Sequence, residues 1–219
     1  MTWQIQRFRG SAADFHAQAI PDAPTRQVWV FEVDRPAIAL GSAQPAAHLN
    51  EAACARLGVE VVRRRSGGGA VLLIPDEIVW IDVLLPASDP QWHDDISRAG
   101  WWLAEAWAAT CAGLMNGAAV EVHRAGMVTT KWSSHVCFAG LGPGEVTTGG
   151  EKLVGVSQRR TRTTARFQTA VHRRWDAVRT CELLSDPLID PDELATVAAL
   201  DRPIDAIVDA FLDELNRRT

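Results

Sequence analysis

Five short apolar runs of β character crowd the chain before residue 86: VWVFEV (28–33), AIAL (37–40), VEVV (59–62), AVLLI (70–74) and IVWIDVLL (78–85). Two more follow at 152–156 and 167–171, and another run surrounds Cys137. Strands this short cannot stand alone; they must share a sheet whose apolar face is covered. The cover is visible between residues 94 and 114, where Ile96, Gly100, Leu103, Trp107, Cys111 and Leu114 recur every three or four positions. That spacing predicts a helix with one buried face. The fold class expected is therefore α/β (α+β), a mixed β-sheet flanked by helices.

Residues 46–57 read as a further helix, stopped by Gly58, which can take the positive φ of a helix end. Near the C-terminus, Asp190 stands as an N-cap, Pro191 as the first helical residue and Glu193 as the capping-box partner, so a helix is predicted there. A last helix starts at Pro203, with Ile204, Ile207, Val208, Phe211, Leu212 and Leu215 on one stripe. No Gly/Ser linker divides the chain. The expectation is a catalytic-type α/β unit over residues 1–185 with a helical extension over 186–219.

With 219 residues, 47% of them hydrophobic, the chain can bury a sizeable core, and a net charge of -5 gives no general reason to bind nucleic acid or an anionic membrane. The longest apolar window, WWLAEAWAATCAGLMNGAAV, is broken by Glu105 and Asn116 and suits a buried helix better than a membrane span. Cys54, Cys111, Cys137 and Cys181 are irregularly spaced with no CxxC pair, so no metal site is expected. No secretory signal is visible at the start, which makes the cytoplasm the default location.

Two segments stand out from this background. In RRRSGGGAVLLI, Gly67, Gly68 and Gly69 expose main-chain N–H groups to close approach, behind Arg63, Arg64 and Arg65. The pattern is neither a Walker A loop nor GxGxxG; an ordinary turn with surface arginines is the plain alternative. The second segment runs from Gly149 to Trp175. It carries Lys152, Arg159, Arg160, Arg162, Arg166, Arg173 and Arg174 and no carboxylate between Lys152 and Trp175, inside an acidic protein. A solvated basic face would produce this, and so would a site for phosphate or an acidic partner; RNA fits less well because no aromatics interleave the charges. Lys152 opens the apolar run KLVGVS, where one ammonium could neutralise a carboxylate or a developing oxyanion.

Taken together, RRRSGGGAV and the later GGEKLVGVSQ resemble the two signature segments of the lipoate-protein ligase A and octanoyltransferase family, whose catalytic domain is shared with biotin-protein ligases. VWVFEVDRPAIALGSAQ is similar to the family segment before the first helix, so the likeness spans about residues 28–176. It implies a fold related to class II aminoacyl-tRNA synthetases and attachment of a lipoyl-type acyl group, lipoate or octanoate, to one lysine of a lipoyl carrier domain. By this resemblance Ser66, Gly67, Gly68, Gly69 and Ala70 wall the acyl pocket and Arg64 holds phosphate. Lys152 touches the carboxyl end, Gly155 lets the strand pass close to the ligand, and Ser157 belongs to the same substrate-binding set. Arg159, Arg160 and Arg162 would grip phosphates or the carrier domain.

The sequence also departs from the family pattern. Leu73 and Ile74 stand where the ligases have a His-Asp pair, and His123 to Gly126 where an Asn-Asp pair is expected. Cys137 lies fifteen residues before Lys152, where cysteine-dependent octanoyltransferases carry a nucleophile that Lys152, the arginine cluster or His135 would activate; an inert core cysteine is the alternative. Three expectations result. The first is a ligase using ATP and Mg through an acyl-adenylate, and the second an octanoyltransferase that needs no cofactor and takes its acyl group from an acyl carrier protein. The third is a non-catalytic acyl-binding subunit of a split ligase. None calls for nucleic acid or membrane.

Overall fold

The computed structural model describes residues 2–21, 25–187, 189–194 and 197–218. Its frame is a seven-stranded mixed sheet with the spatial order β1 (Gln4–Gly10), β2 (Gln27–Val33), β6 (Ile78–Pro86), β10 (Thr164–His172), β9 (Glu151–Arg160), β8 (Val146–Thr148) and β7 (Val120–Val122). β1 runs parallel to β2, and every other neighbouring pair in this sheet is antiparallel. A second sheet holds β4 (Glu60–Arg63), β3 (Ala37–Leu40) and β5 (Val71–Leu73) in that order.

Alternation along the strands divides the large sheet into two apolar faces. One face, with Val28, Val30, Val79, Ile81, Val83, Val154 and Phe167, is covered by α3 (Trp101–Leu114) and α5 (Ile204–Arg217), whose Trp107 and Phe211 rings stack at 4.1 Å. The other, with Trp29, Phe31 and Trp80, meets the short helix α1 (Ala12–Ala17) and the small sheet through Ala39 and Leu73. Behind the small sheet a third cluster gathers Ile38, Leu40 and Leu72 around Leu183 and Trp132, next to α2 (Glu51–Arg56) and α4 (Ala177–Glu182).

All five early runs become strands, as does each of the runs at 152–156 and 167–171. Four expectations change. The run around Cys137 is a 3-10 turn, Cys137–Ala139, joined to its neighbour only by an isolated bridge from Val136 to Ala70. The 46–57 helix is broken, because the Asn50 side chain accepts from Ala53 N–H and starts α2 afresh after a turn at Ala46–His48. Helix α3 begins at Trp101, leaving Ile96 in the preceding turns and 62% exposed. Glu193 does not fold back as a capping partner: its carboxylate accepts from Lys131 Nζ and Trp132 Nε1, and only the 3-10 turn Pro191–Leu194 forms. The rest of that expected helix reaches 195–196, outside the described residues. The stop at Gly58 (φ 65°) and the apolar stripe of α5 hold.

Candidate active site

The hairpin of β8 and β9 turns on Gly149 and Gly150, both at positive φ (57° and 84°), as a two-residue primed turn requires. It sets Glu145, just before β8, beside Lys152 at the start of β9. Their Oε1 and Nζ lie 2.7 Å apart, with the side chains 8% and 4% exposed. The ammonium also donates to the carbonyls of Cys137 (3.1 Å) and Gly140 (3.3 Å) and lies over the Phe138 ring. Glu145 accepts in addition from Gly142 N–H and Val156 N–H, so both its oxygens are engaged.

Glu145 of this pair, with Lys152 standing behind it, lines a cleft between the two sheets. Its floor is given by strand register: Gly155 on β9 faces Ala170 on β10, which faces Trp80 on β6, and one row on Ser157 faces Gln168, which faces Asp82. Ala39, Val71 and Leu73 of the small sheet form the roof, and Cys137, Phe138 and Glu145 the β9 end. Gly155 leaves room for Phe138 here, since a Cβ would sit 3.1 Å from Phe138 Cζ. Trp80 and His16 line the opposite end, their rings 4.6 Å apart. Burial first, then Arg166 and Arg64, lowers the His16 pKa to about 4, so this wall is uncharged at neutral pH.

Arg64 and Ser66 line the cleft. Arg64 is 6% exposed and not a surface arginine; it donates to Ser66 Oγ (2.7 Å) and to the Gly69 carbonyl (2.9 Å). Arg63 points elsewhere and ties the carbonyls of Gly41 and Gln44, each at 2.8 Å. The glycines serve chain-to-chain approach: a Cβ on Gly69 would lie 2.5 Å from Val136 N, and Gly68 (φ 92°) brings its carbonyl against Gly41. Gly67 has open space, and Ala70 pairs its backbone with residues 135–137.

Cys137 also lines the cleft. A Cβ placed on Gly68 would be 3.0 Å from Arg64 Nη2 and 3.5 Å from Cys137 Sγ, so guanidinium and thiol share one corner. His135, a suggested activator of this thiol, does not line the cleft; it stacks on His48 at 4.1 Å and is kept below its ordinary pKa by burial and by His48.

The basic cluster separates. Arg166 is buried against Asp82, and Arg160 lies over Trp92 and donates to the Asp94 carbonyl. Arg159 is half-buried on the same strand face as Ser157, and Arg162 is exposed in the β9–β10 turn. Sequence reasoning missed Glu145, although GPGE followed by TTGG and Lys152 is a hairpin signal that places the carboxylate beside the lysine. It also missed His16 and Trp80, which reach the cleft only through the packing of α1 and β6. Among the described residues no group of three or more His, Cys, Asp or Glu is placed to hold a metal ion, and no helix is long and apolar enough to cross a membrane.

The fold is shared with known proteins. Protein Ta0514 of Thermoplasma acidophilum, assigned as a lipoate protein ligase and solved with lipoic acid bound, is 14% identical, with a TM-score of 0.71 over 99% of this chain and 85% of that one. A lipoate-protein ligase A bound with ATP is 15% identical, with a TM-score of 0.72 over 99% and 85%. A bipartite lipoate protein ligase from T. acidophilum, described with its E2 lipoyl domain, is 16% identical, with a TM-score of 0.66 over 98% and 82%. No curated protein matches in sequence. The family model of the lipoyl protein ligase A/B catalytic domain matches residues 12–195, and the chain belongs to that family.

Proposed function

We propose that this protein attaches a lipoyl-type acyl group, lipoate or octanoate, to the lysine of a lipoyl carrier domain. The observation that carries this reading is the largely apolar cleft lined by Cys137, Arg64 and Glu145, with Lys152 paired to Glu145 behind it. An apolar channel with a few convergent polar groups at one end is what a fatty-acyl carboxyl derivative needs. Relatives of the same fold bind lipoic acid and ATP, and one acts with a lipoyl domain.

The geometry favours a thioester relay. Cys137 sulfur attacks the carbonyl carbon of an octanoyl thioester on an acyl carrier protein, the carbonyl oxygen takes up charge, and the donor thiol leaves with a proton. The ε-amine of the carrier lysine then attacks the enzyme thioester, the amide forms, and the Cys137 thiol is restored with the amine's proton. In this reading Lys152 leaves Glu145 to donate to the developing oxyanion, and Arg64 puts positive charge beside the nucleophile, as reactive cysteines require.

A second reading is supported by the ATP-bound relative, and in it Arg159 and Arg162 would grip phosphate or the carrier domain. A carboxylate oxygen attacks the α-phosphorus of ATP, pyrophosphate leaves, and the carrier lysine displaces AMP from the acyl-adenylate. Magnesium is held by oxygen ligands, one or two carboxylates with phosphate oxygens. Glu145 is the one carboxylate lining the cleft among the described residues, and both its oxygens are taken by Lys152 and main-chain N–H groups. These residues do not make a ready magnesium seat, and no step is drawn through one.

Intact-mass analysis of a lipoyl domain incubated with the protein decides between them. Octanoylation from octanoyl acyl carrier protein without ATP, with an acyl adduct on the enzyme that Cys137→Ser removes, is the expected result. Modification only from lipoate with ATP, undiminished in Cys137→Ser, overturns the relay in favour of the ligase. Acyl binding with no modified lipoyl domain under either supply assigns the chain to the binding subunit of a split ligase.

A further inference from the structure

Phe138 is the buried side chain of the turn Cys137–Ala139 and is 4% exposed. The Lys152 ammonium lies over its ring, 4.8 Å from the centroid. His172 meets the same ring nearly edge-on, with centroids 4.5 Å apart and planes at 72°, and Trp175 packs against His172 at 4.9 Å. From β9, a Cβ at Gly155 would stand 3.1 Å from Phe138 Cζ and 3.3 Å from Cε2, so the ring fills the space that the glycine leaves. Phe138 has little room to turn, and one of the groups it touches is an ammonium.

The chain joins this ring to the reacting groups. Lys152 Nζ donates to the carbonyls of Cys137 (3.1 Å) and Gly140 (3.3 Å), which bracket Phe138 in the turn. Cys137 N–H donates to the Ala70 carbonyl (2.9 Å), at the end of the glycine loop. Farther along, Ala198 N–H donates to the Lys152 carbonyl (3.0 Å) and Leu200 N–H to the His172 carbonyl (2.9 Å). One short stretch of chain therefore fixes the backbones of both residues that hold the ring. Burial, then Lys152, keeps the His172 imidazole uncharged at neutral pH, so it braces the ring without repelling the ammonium.

We infer that Phe138 is a positioning residue for the thioester relay and that His172 acts through it: the braced ring seats the Lys152 ammonium and pins the turn that carries Cys137. One side chain then sets thiol and cation relative to each other. The inference rests on the relay reading of Cys137 and goes beyond it, since His172 does not line the cleft. If the ring yields, ammonium and turn drift apart, and a misplacement of about 1 Å costs about 100-fold in rate. Donor binding depends on the cleft walls and the carrier surface, and changes little.

The test is the rate at which the acyl adduct forms on the intact protein, followed by mass, with octanoyl acyl carrier protein varied to saturation. Phe138→Leu should lower the saturating rate about 10- to 100-fold and leave the half-saturating donor concentration nearly unchanged. His172→Leu should do the same more weakly, and His172→Phe, which restores a flat neutral ring, should recover most of the loss. Phe211→Leu, a core change in α5 against Trp107, should lower the denaturation midpoint and leave the rate as it was. If Phe138→Leu does not fold, the two His172 variants decide by the same criteria. Unchanged saturating rates in Phe138→Leu and His172→Leu overturn the positioning role and leave the relay standing. A change confined to the half-saturating concentration does so too, as does an equal loss of rate in Phe211→Leu. No adduct on the unaltered protein overturns the relay and this inference together.

Discussion

Two buried ion pairs hold residues of the same cleft, Arg166–Asp82 at 2.6 Å behind Trp80 and Gln168 and Lys152–Glu145 at 2.7 Å, and in both the charged groups are nearly out of water. Around Asp82, though, every partner is a fixed side chain: Trp80, Gln168 and Arg166 all donate to it, and the carboxylate is wholly buried. Burial pushes its pKa up and Arg166 pulls against that rise. Lys152 instead divides its donors between Glu145 and two loop carbonyls, and Glu145 lines open space. The first pair is a clamp with nowhere else to go. The second shares its ammonium among three acceptors, and Glu145 has two main-chain donors of its own besides Lys152.

The largest effect that separates the pairs is on stability. Asp82→Ala should cost about 3–5 kcal/mol, since it strands the Arg166 guanidinium in the core; urea denaturation measures this, and an unchanged midpoint would make the clamp dispensable. Lys152→Ala should cost less stability but lower acyl transfer about 10²–10³-fold, the range for losing one oxyanion donor. If Lys152→Ala destabilises as much as Asp82→Ala and transfer survives, the distinction between the pairs fails.

A smaller effect comes from beneath the second pair. His172 is buried against Phe138, and burial, then Lys152, lowers its pKa from 6.5 to about 3. A lowered histidine pKa means the unfolded chain takes the proton first. Its contribution to stability is thus complete above pH 6.5 and is lost as pH falls from there toward 3. His16, lowered to about 4, acts in the same sense. Denaturation midpoints should fall between pH 7 and pH 5 by the equivalent of about 2–3 kcal/mol, and His172→Leu should remove a large share of that slope. The smallest expected change is Gly155→Ala. Its methyl would press on Phe138 Cζ and lie 3.5 Å from Lys152 Cε, costing about 1 kcal/mol of stability and a few-fold in rate by displacing the ammonium.

Much of this was legible in one dimension. Short, mostly continuous apolar runs mark seven of the ten strands among the described residues, because much of the sheet is covered on both faces. β1 escaped notice because QIQRFRG is an edge strand with mostly exposed side chains, which carries little apolar signal. β7 and β8 escaped because each spans only three residues. Arg64, Ser66 and Lys152 stand out by neighbouring glycines and charge and Cys137 by the family resemblance; Arg64, Ser66 and Cys137 line one cleft, and Lys152 stands behind it on Glu145 and the Cys137 carbonyl. Arg160 and Arg166 were read with the rest of the basic cluster, yet one lies on Trp92 and the other is buried, since strand alternation sends neighbouring arginines to opposite faces.

The sequence by itself determined most of the element types and the family, because these depend on residues close in the chain. The tertiary structure alone decided which glycines line the cleft and which face another strand, that Lys152 carries Glu145 as its counterion, and that Trp80 and His16 line the cleft. Those facts depend on register between strands and on the seating of a six-residue helix, and both are settled by contacts between residues far apart in sequence.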